Sequence, residues 1–308
     1  MQSHSKLEKV AWAFVVYLIG VILFGAWVRI THSGAGCGDH WPTCHGELIP
    51  LDPSTETIIE YTHRLTSGLC GIIAIAVLAW AWAVNRWGRI TRGAAVVLAL
   101  TIFEGAIGAG LVLAELVNDD DSVARAVVIS LHLVNTLILV GAAALTAWWA
   151  GGRPAFSLGK RTDMRGWLLA CAGLLVVTSM TGAVTALGDT LFPVDPTLGD
   201  GLLSRIRDDL SAANHFLVRL RIVHPVVAVV AATTIFGVAS LARYRSDDAT
   251  TTRLANALVA LVALQTVLGV VNVALHAPGW MQLLHLAVAQ AVWVALVLLI
   301  AHVQRVMG

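Results

Sequence analysis

The chain alternates long apolar stretches with short polar segments. The stretches cover residues 10–28, 59–84, 94–116, 126–149, 166–187, 216–241, 254–275 and 280–302, with almost no charge inside them. A hydrocarbon core of roughly 30 Å needs about 20 residues of helix to cross it. Backbone polar groups cannot be left unpaired in lipid, so each stretch is predicted as a helix. The expected fold is all-α and integral to the membrane, with eight transmembrane helices. A cleaved leader would be a lone apolar run, so the first stretch is expected to be retained.

Composition agrees: 57% of residues are hydrophobic and 13% charged, against about 25% charged in a soluble domain. The remaining charges set orientation. With eight spans, one side carries Lys6, Lys9, Arg86, Arg89, Arg92, Arg153, Lys160, Arg161, Arg165, Arg243, Arg245, Arg253 and Arg305, which is 13 of the 20 Lys and Arg. The other carries Arg29, Arg64, Arg125, Arg205, Arg207, Arg219 and Arg221, with the acidic run Asp119, Asp120, Asp121. The excess of cations places the first side, and both termini, in the cytoplasm. A net charge of +1 and the lack of a basic patch with interleaved aromatics speak against nucleic acid as a partner. No Arg-rich segment precedes the first stretch, which favours a prokaryotic plasma membrane over a mitochondrion, and the last stretch ends too near the terminus for a further soluble domain.

The chain also repeats itself. "EYTHR" puts His63 early in the second helix and "RIVHP" puts His224 early in the sixth. Glu104 to Gly108 in the third helix match Gln265 to Gly269 in the seventh, and both matches have an offset of 161 residues. His132 in the fourth helix and His285 in the eighth each sit between two leucines, and Gly25-Ala26 finds a counterpart in Gly182-Ala183. A duplicated four-helix unit follows, with halves 1–152 and 166–308 and a cytoplasmic linker 153–165 that holds Pro154 and Gly159. An even number of spans per half makes the repeats parallel, about an axis along the membrane normal. The outer loops 29–58 and 188–215 are long, the first with Gly34, Gly36, Gly38, Trp41 and Pro42, the second with Pro193 and Pro196. Such loops serve either as covers for a site or as connectors.

Four of the 11 histidines, His63, His132, His224 and His285, fall in apolar stretches near their outer ends, all on even-numbered helices. Ionisable groups at that depth are costly and usually functional, although a single one is as readily explained as a hydrogen bond between helices. Two imidazoles on facing helices can bind a haem iron from opposite sides. The expected pairs are His63 with His132 and His224 with His285. Zinc fits less well, since two ligands per half are too few. Arg64, Arg219 and Arg221 could meet haem propionates or simply snorkel to water. Glu60 lies three residues before His63 and shares its helix face, whereas the position 161 residues on is Arg221. A carboxylate there could act as a base or stabilise positive charge, or merely favour a helix start. Glu104 and Gln265 read best as polar links between helices. Cys70 and Cys171 are small core residues. For Cys37 and Cys44, in the first outer loop, a disulfide, two free thiols and a metal pair with His40 and His45 all remain open.

Across nearly its whole length the sequence resembles the haem A synthases. The resemblance rests on "GAWVRITHSGAGCGDHWPTCHG", "EYTHRLTSG", "LHLVN", "LVRLRIVHP" and "LLHLAVAQ", of which the first two are specific. It implies two similar four-helix bundles. The amino-terminal one would hold the substrate haem O near His63 and His132, and the carboxy-terminal one haem b between His224 and His285. It implies a catalytic role for Glu60 and a disulfide between Cys37 and Cys44. The implied reaction oxidises a haem methyl group to formyl through an alcohol stage, giving haem A for cytochrome oxidase. A carbocation stabilised by Glu60 is one intermediate the resemblance allows. Haem O synthase and cytochrome oxidase assembly factors are the implied partners. Two other readings use the same residues: a di-haem b-type electron-transfer protein, which would not need Glu60, and a transporter, which would show broken helices and midplane polar groups.

Overall fold

The computed structural model describes residues 2–153, 163–193, 206–207 and 209–306. Most of the expected linker, including Pro154, Gly159, Lys160 and Arg161, lies outside the described residues, as do Pro196 and Arg205. The elements are α1 (Gln2–Ile30), α2 (Thr55–Val84), α3 (Arg89–Leu113), α4 (Val123–Ala150), α5 (Asp163–Leu191), α6 (Phe216–Arg219), a 3-10 turn (Leu220–Ile222), α7 (Val223–Tyr244), α8 (Ala249–Ala274) and α9 (Gly279–Val306). With α6, the turn and α7 counted as one span, eight helices are long and apolar enough to cross a membrane. The chain is a multi-pass membrane protein.

The helices start where side chains satisfy their free N–H groups. Ser54 accepts from the backbone N–H of Thr57 at 3.2 Å, Ser122 from Arg125 at 3.1 Å and Asp248 from Thr251 at 2.7 Å. The helices outrun the apolar stretches by several residues, because caps and polar first turns belong to the helix but not to the hydrophobic pattern. The sixth span departs from the expected single helix over 216–241. It opens with α6, tightens into the 3-10 turn and only then becomes α-helical. Pro225 is the physical reason, since its ring displaces the carbonyl one turn earlier, that of Arg221, and donates no hydrogen bond to it.

Packing is by small residues. Ala74, Ala143, Ala144, Ala147, Ala239 and Ala242 are buried, while Val16, Ile72, Ile102 and Val270 are exposed on the outside of the helices. Lipid is as apolar as leucine, so helices associate through close approach rather than by hiding large side chains. Helices α1 to α4 are neighbours in a ring, as are α5, α7, α8 and α9, and α1, α4, α5 and α9 meet along the seam. At that seam the Trp293 indole of α9 donates to the carbonyl of Leu137 on α4 at 2.6 Å, and Gly141 provides the space.

Candidate functional site

Helices α2, α4, α7 and α9 all begin at the same end, so their early histidines come to one level. His63, His132, His224 and His285 line a single cavity of about 2380 Å³. That exceeds the roughly 300–1,000 Å³ that holds one drug-sized ligand. Trp41 and Pro42, from the long loop between α1 and α2, also line it, as do Glu60 and Arg64. The loop therefore contributes a wall of the cavity.

In each ring a glycine makes room for the first histidine. A Cβ on Gly25 of α1 would lie 3.1 Å from His63 Cε1, and one on Gly182 of α5 would lie 3.0 Å from His224 Cε1. Phe24 packs edge-on against the His63 ring at 5.6 Å between centroids. The rings of His224 and His285 stand 6.4 Å apart, nearly perpendicular at 87°. An imidazole nitrogen reaches a metal at about 2 Å, so this separation leaves room for an ion between the rings. His224 Nδ1 lies 3.1 Å from the carbonyl of Thr178 and 3.3 Å from the Thr181 hydroxyl. Donation to the carbonyl fixes the proton on Nδ1 and leaves Nε2 as the metal-binding nitrogen. His63, His132 and His285 each have a buried Nδ1 that makes no hydrogen bond among the described residues. Orphaned ring nitrogens facing a large cavity fit a ligand that is held through imidazole, and a bis-histidine haem suits this donor set.

Glu104 and Gln265 do more than link helices. Glu104 accepts from the Asn135 amide at 2.5 Å and from the Thr136 hydroxyl, which ties α3 to α4, and its Oε1 lies 3.3 Å from His132 Nδ1 without hydrogen-bond alignment. The Gln265 amide nitrogen lies 2.9 Å from His285 Nε2. Each member of the repeated polar pair thus meets the histidine of the following helix. The shared 161-residue offset is the sequence signal for this, and it becomes informative only once the helices are placed side by side.

Glu60 is 3% exposed. Its Oε2 accepts from the backbone N–H of Cys37 at 2.7 Å, and its Oε1 accepts from both Nε and Nη2 of Arg64, the former at 3.0 Å. Arg64 also donates to the carbonyls of His40 at 2.7 Å and Thr43 at 2.6 Å. Cys37 and Cys44 are joined in a disulfide, which removes the free-thiol and metal-pair alternatives. The bridged loop is thereby clamped onto the first turns of α2. Gly36 permits the contact, for a Cβ there would lie 2.3 Å from the carbonyl oxygen of Glu56.

The arginines are engaged within the protein. Buried Arg221 pairs with Asp189 at 2.9 Å and Asp209 at 3.5 Å and donates to the carbonyls of Gly188, at 3.0 Å, and Phe192. Arg219 is exposed. Arg29, to which the sequence pointed in no way, lines the cavity at the seam. It donates to the Ala186 carbonyl, to Thr190 and, at 2.9 Å, to Gln282.

Comparison with known proteins agrees with this geometry. A Thermus thermophilus protein named protoheme IX farnesyltransferase is 45% identical over 299 residues, which is 96% of this chain and 48% of that protein. This chain thus spans about half the length of that relative. The heme A synthase of Halalkalibacterium halodurans is 43% identical over 110 residues, 35% of this chain and 37% of its own. That of Alkalihalophilus pseudofirmus is 44% identical over 112 residues, with 35% and 37% covered. The family described as cytochrome oxidase assembly protein, COX15-CtaA, matches residues 8–297. With the match spanning all eight helices and both histidine pairs, the chain belongs to the COX15-CtaA family of cytochrome oxidase assembly proteins.

Proposed function

We propose that this chain is a haem A synthase, which oxidises a methyl group of haem O to a formyl group through an alcohol stage for cytochrome oxidase biogenesis. The observation that carries the reading is one cavity lined by all four histidines, with the Glu60 carboxylate one turn from His63 and from no other of them. The halves differ in what surrounds the first histidine, and that difference assigns their roles.

In the amino-terminal half, 1–152, His63 and His132 hold the substrate haem O. Glu60 stands beside it, oriented by Arg64 and by the Cys37 N–H. A carboxylate fixed there accepts a proton from the reacting carbon or its hydroxyl, or stabilises positive charge developing on it. The bridged loop excludes water from that side. Glu104 sets the His132 ring, and Gly25 seats the His63 ring against Phe24.

In the carboxy-terminal half, 166–308, His224 and His285 hold haem b, which supplies one-electron chemistry when bound. Thr178 fixes the His224 tautomer and Gln265 the His285 ring. The carboxylates nearest this pair's end, Asp189 and Asp209, are neutralised by Arg221, so this half carries no counterpart of Glu60. The Thermus relative supports a substrate supplied by farnesyl transfer to protohaem, and so a haem O synthase as the upstream partner. The site of action is the plasma membrane of a prokaryote, with both termini in the cytoplasm. The test is expression with a haem O supply, followed by extraction and mass analysis of the haems. Haem A in the extract supports the reading, and haem b alone contradicts it.

A further inference from the structure

The two halves do not fill the gap between their second and third helices alike. In the amino-terminal half Gly68 and Gly71 of α2 and Gly105 of α3 line the cavity, and a Cβ on any of them would meet nothing within 4 Å. The residues 161 positions further on, Val229, Ala232 and Thr266, line the same cavity with side chains. Glycine in a membrane helix usually lets another helix approach. Nothing approaches these three, so packing does not account for them, although glycine costs a helix about 1 kcal/mol relative to alanine.

The gap also opens sideways. Leu65, Leu69 and Ile72 of α2 and Ile102 of α3 line the cavity and are exposed on the lipid-facing surface. Residues 65, 68, 69 and 72 share one face of α2, and 102 and 105 one face of α3. An apolar slot therefore runs from the lipid to the cavity wall at His63 and Glu60.

We infer that this α2–α3 slot admits the prenylated haem laterally from the bilayer and houses its isoprenoid tail while the ring lies between His63 and His132. The inference rests on the haem O reading. A linear branched hydrocarbon matches leucine and isoleucine walls with a glycine floor. A tail tethered to a ring already seated at His63 has a high effective concentration at the slot, which favours it over a free acyl chain. The carboxy-terminal half, whose haem b has no such tail, carries valine and threonine in the same places.

The test compares binding of haem O and protohaem, by absorbance titration of the purified full chain in nanodiscs, with the Gly68→Val/Gly105→Thr variant that imports the carboxy-half residues. Wild type is expected to bind haem O at least about tenfold more tightly than protohaem, since several buried methylene groups separate the two. The variant is expected to lose that preference through weaker haem O binding, with little change for protohaem. A preference that survives in the variant overturns the slot. Equal wild-type affinity for both haems also overturns it and leaves an ordinary lipid chain as the occupant. Failure of wild type to bind haem O at all defeats the underlying reading instead. Should the double variant lose the spectrum of the carboxy-half haem, Ile72→Trp at the lipid-facing mouth provides the same comparison, with a narrowed preference expected and an unchanged one contradicting the proposal.

Discussion

The Glu60 carboxylate accepts a hydrogen bond from the backbone N–H of Cys37 at 2.7 Å, so the candidate catalytic group and the disulfide-bridged loop are joined directly. Arg64 completes the junction, gripping Glu60 with one edge of its guanidinium and the loop carbonyls of His40 and Thr43 with another nitrogen. Arg64→Ala leaves a buried carboxylate and two carbonyls without their donor. The expected loss is about 2–4 kcal/mol of stability, with faster proteolysis in the loop between Cys37 and Ser54. Arg64→Lys should recover only part of it, because lysine lacks the planar fork. Thermal unfolding and limited proteolysis of both variants measure this. An Arg64→Ala protein as stable and protease-resistant as wild type would show that the clamp is idle.

Gly25 and Gly182 make similar contacts to different histidines, which gives a site-selective pair of variants. Gly182→Ala pushes on the His224 ring and should alter the absorption and electron paramagnetic resonance spectra of the haem held by the carboxy-terminal half. Gly25→Ala should leave those spectra unchanged and weaken haem O binding by roughly three- to tenfold, the cost of a crowded core contact. Identical effects from both substitutions would contradict the assignment of the two pairs to separate haems.

The Arg221, Asp189 and Asp209 cluster anchors the start of the sixth span. Asp189→Asn removes one partner from a buried ion pair and should cost about 3–5 kcal/mol. The double replacement Arg221→Met/Asp189→Leu should cost less than Asp189→Asn, since it removes the charge as well as its partner. Denaturation monitored through the carboxy-half haem spectrum distinguishes the two. A double variant that is worse than the single one would mean that the guanidinium holds something besides these carboxylates.

At the opposite end of the bundle Asp248 caps α8 and lies 2.7 Å from His302 Nε2. The Thr251 N–H and the His302 ring hold its carboxyl down to about 2. A depressed carboxylate pKa stabilises the fold fully above the unfolded value, given as 3.8, and that contribution fades as pH falls through about 2. Between about pH 4 and pH 2 wild type should therefore lose stability more steeply than Asp248→Asn, while above pH 5 the variant should be weaker by about 0.5–1 kcal/mol as a poorer partner for His302. Thermal melts across that range are the measurement, and parallel pH curves for the two proteins would remove Asp248 from the acid response.

Much of this fold was legible in the hydrophobic pattern because lipid leaves a chain few choices. Eight apolar stretches become eight spans, and His63 and His285 lie near the starts of their helices because those stretches began there. The pattern was silent where polar caps extend the helices, so α2 begins at Thr55 rather than at residue 59. Pro225 was visible, yet the 3-10 turn before it depends on how the chain relaxes around the ring. Long-range polar contacts were the least legible part. Nothing in the spacing of Arg64 and Glu60 indicates that the loop carbonyls of His40 and Thr43 complete the clamp. Nothing local to Arg29 points to its partners Thr190 and Gln282 on two other helices. Glu104 and Gln265 were marked as polar pairs from the repeat, but their contacts with His132 and His285 required the packing of neighbouring helices.

The most direct test of the central claim is the haem content of wild type beside Glu60→Gln, each expressed with a haem O supply, extracted and analysed by mass. The account predicts haem A in wild type and only haem O or its alcohol in the variant, with the bis-histidine spectrum of the carboxy-terminal half intact in both. Haem A formed equally by the variant would remove Glu60 from the mechanism, and haem b alone in both proteins would make the chain an electron carrier rather than a synthase.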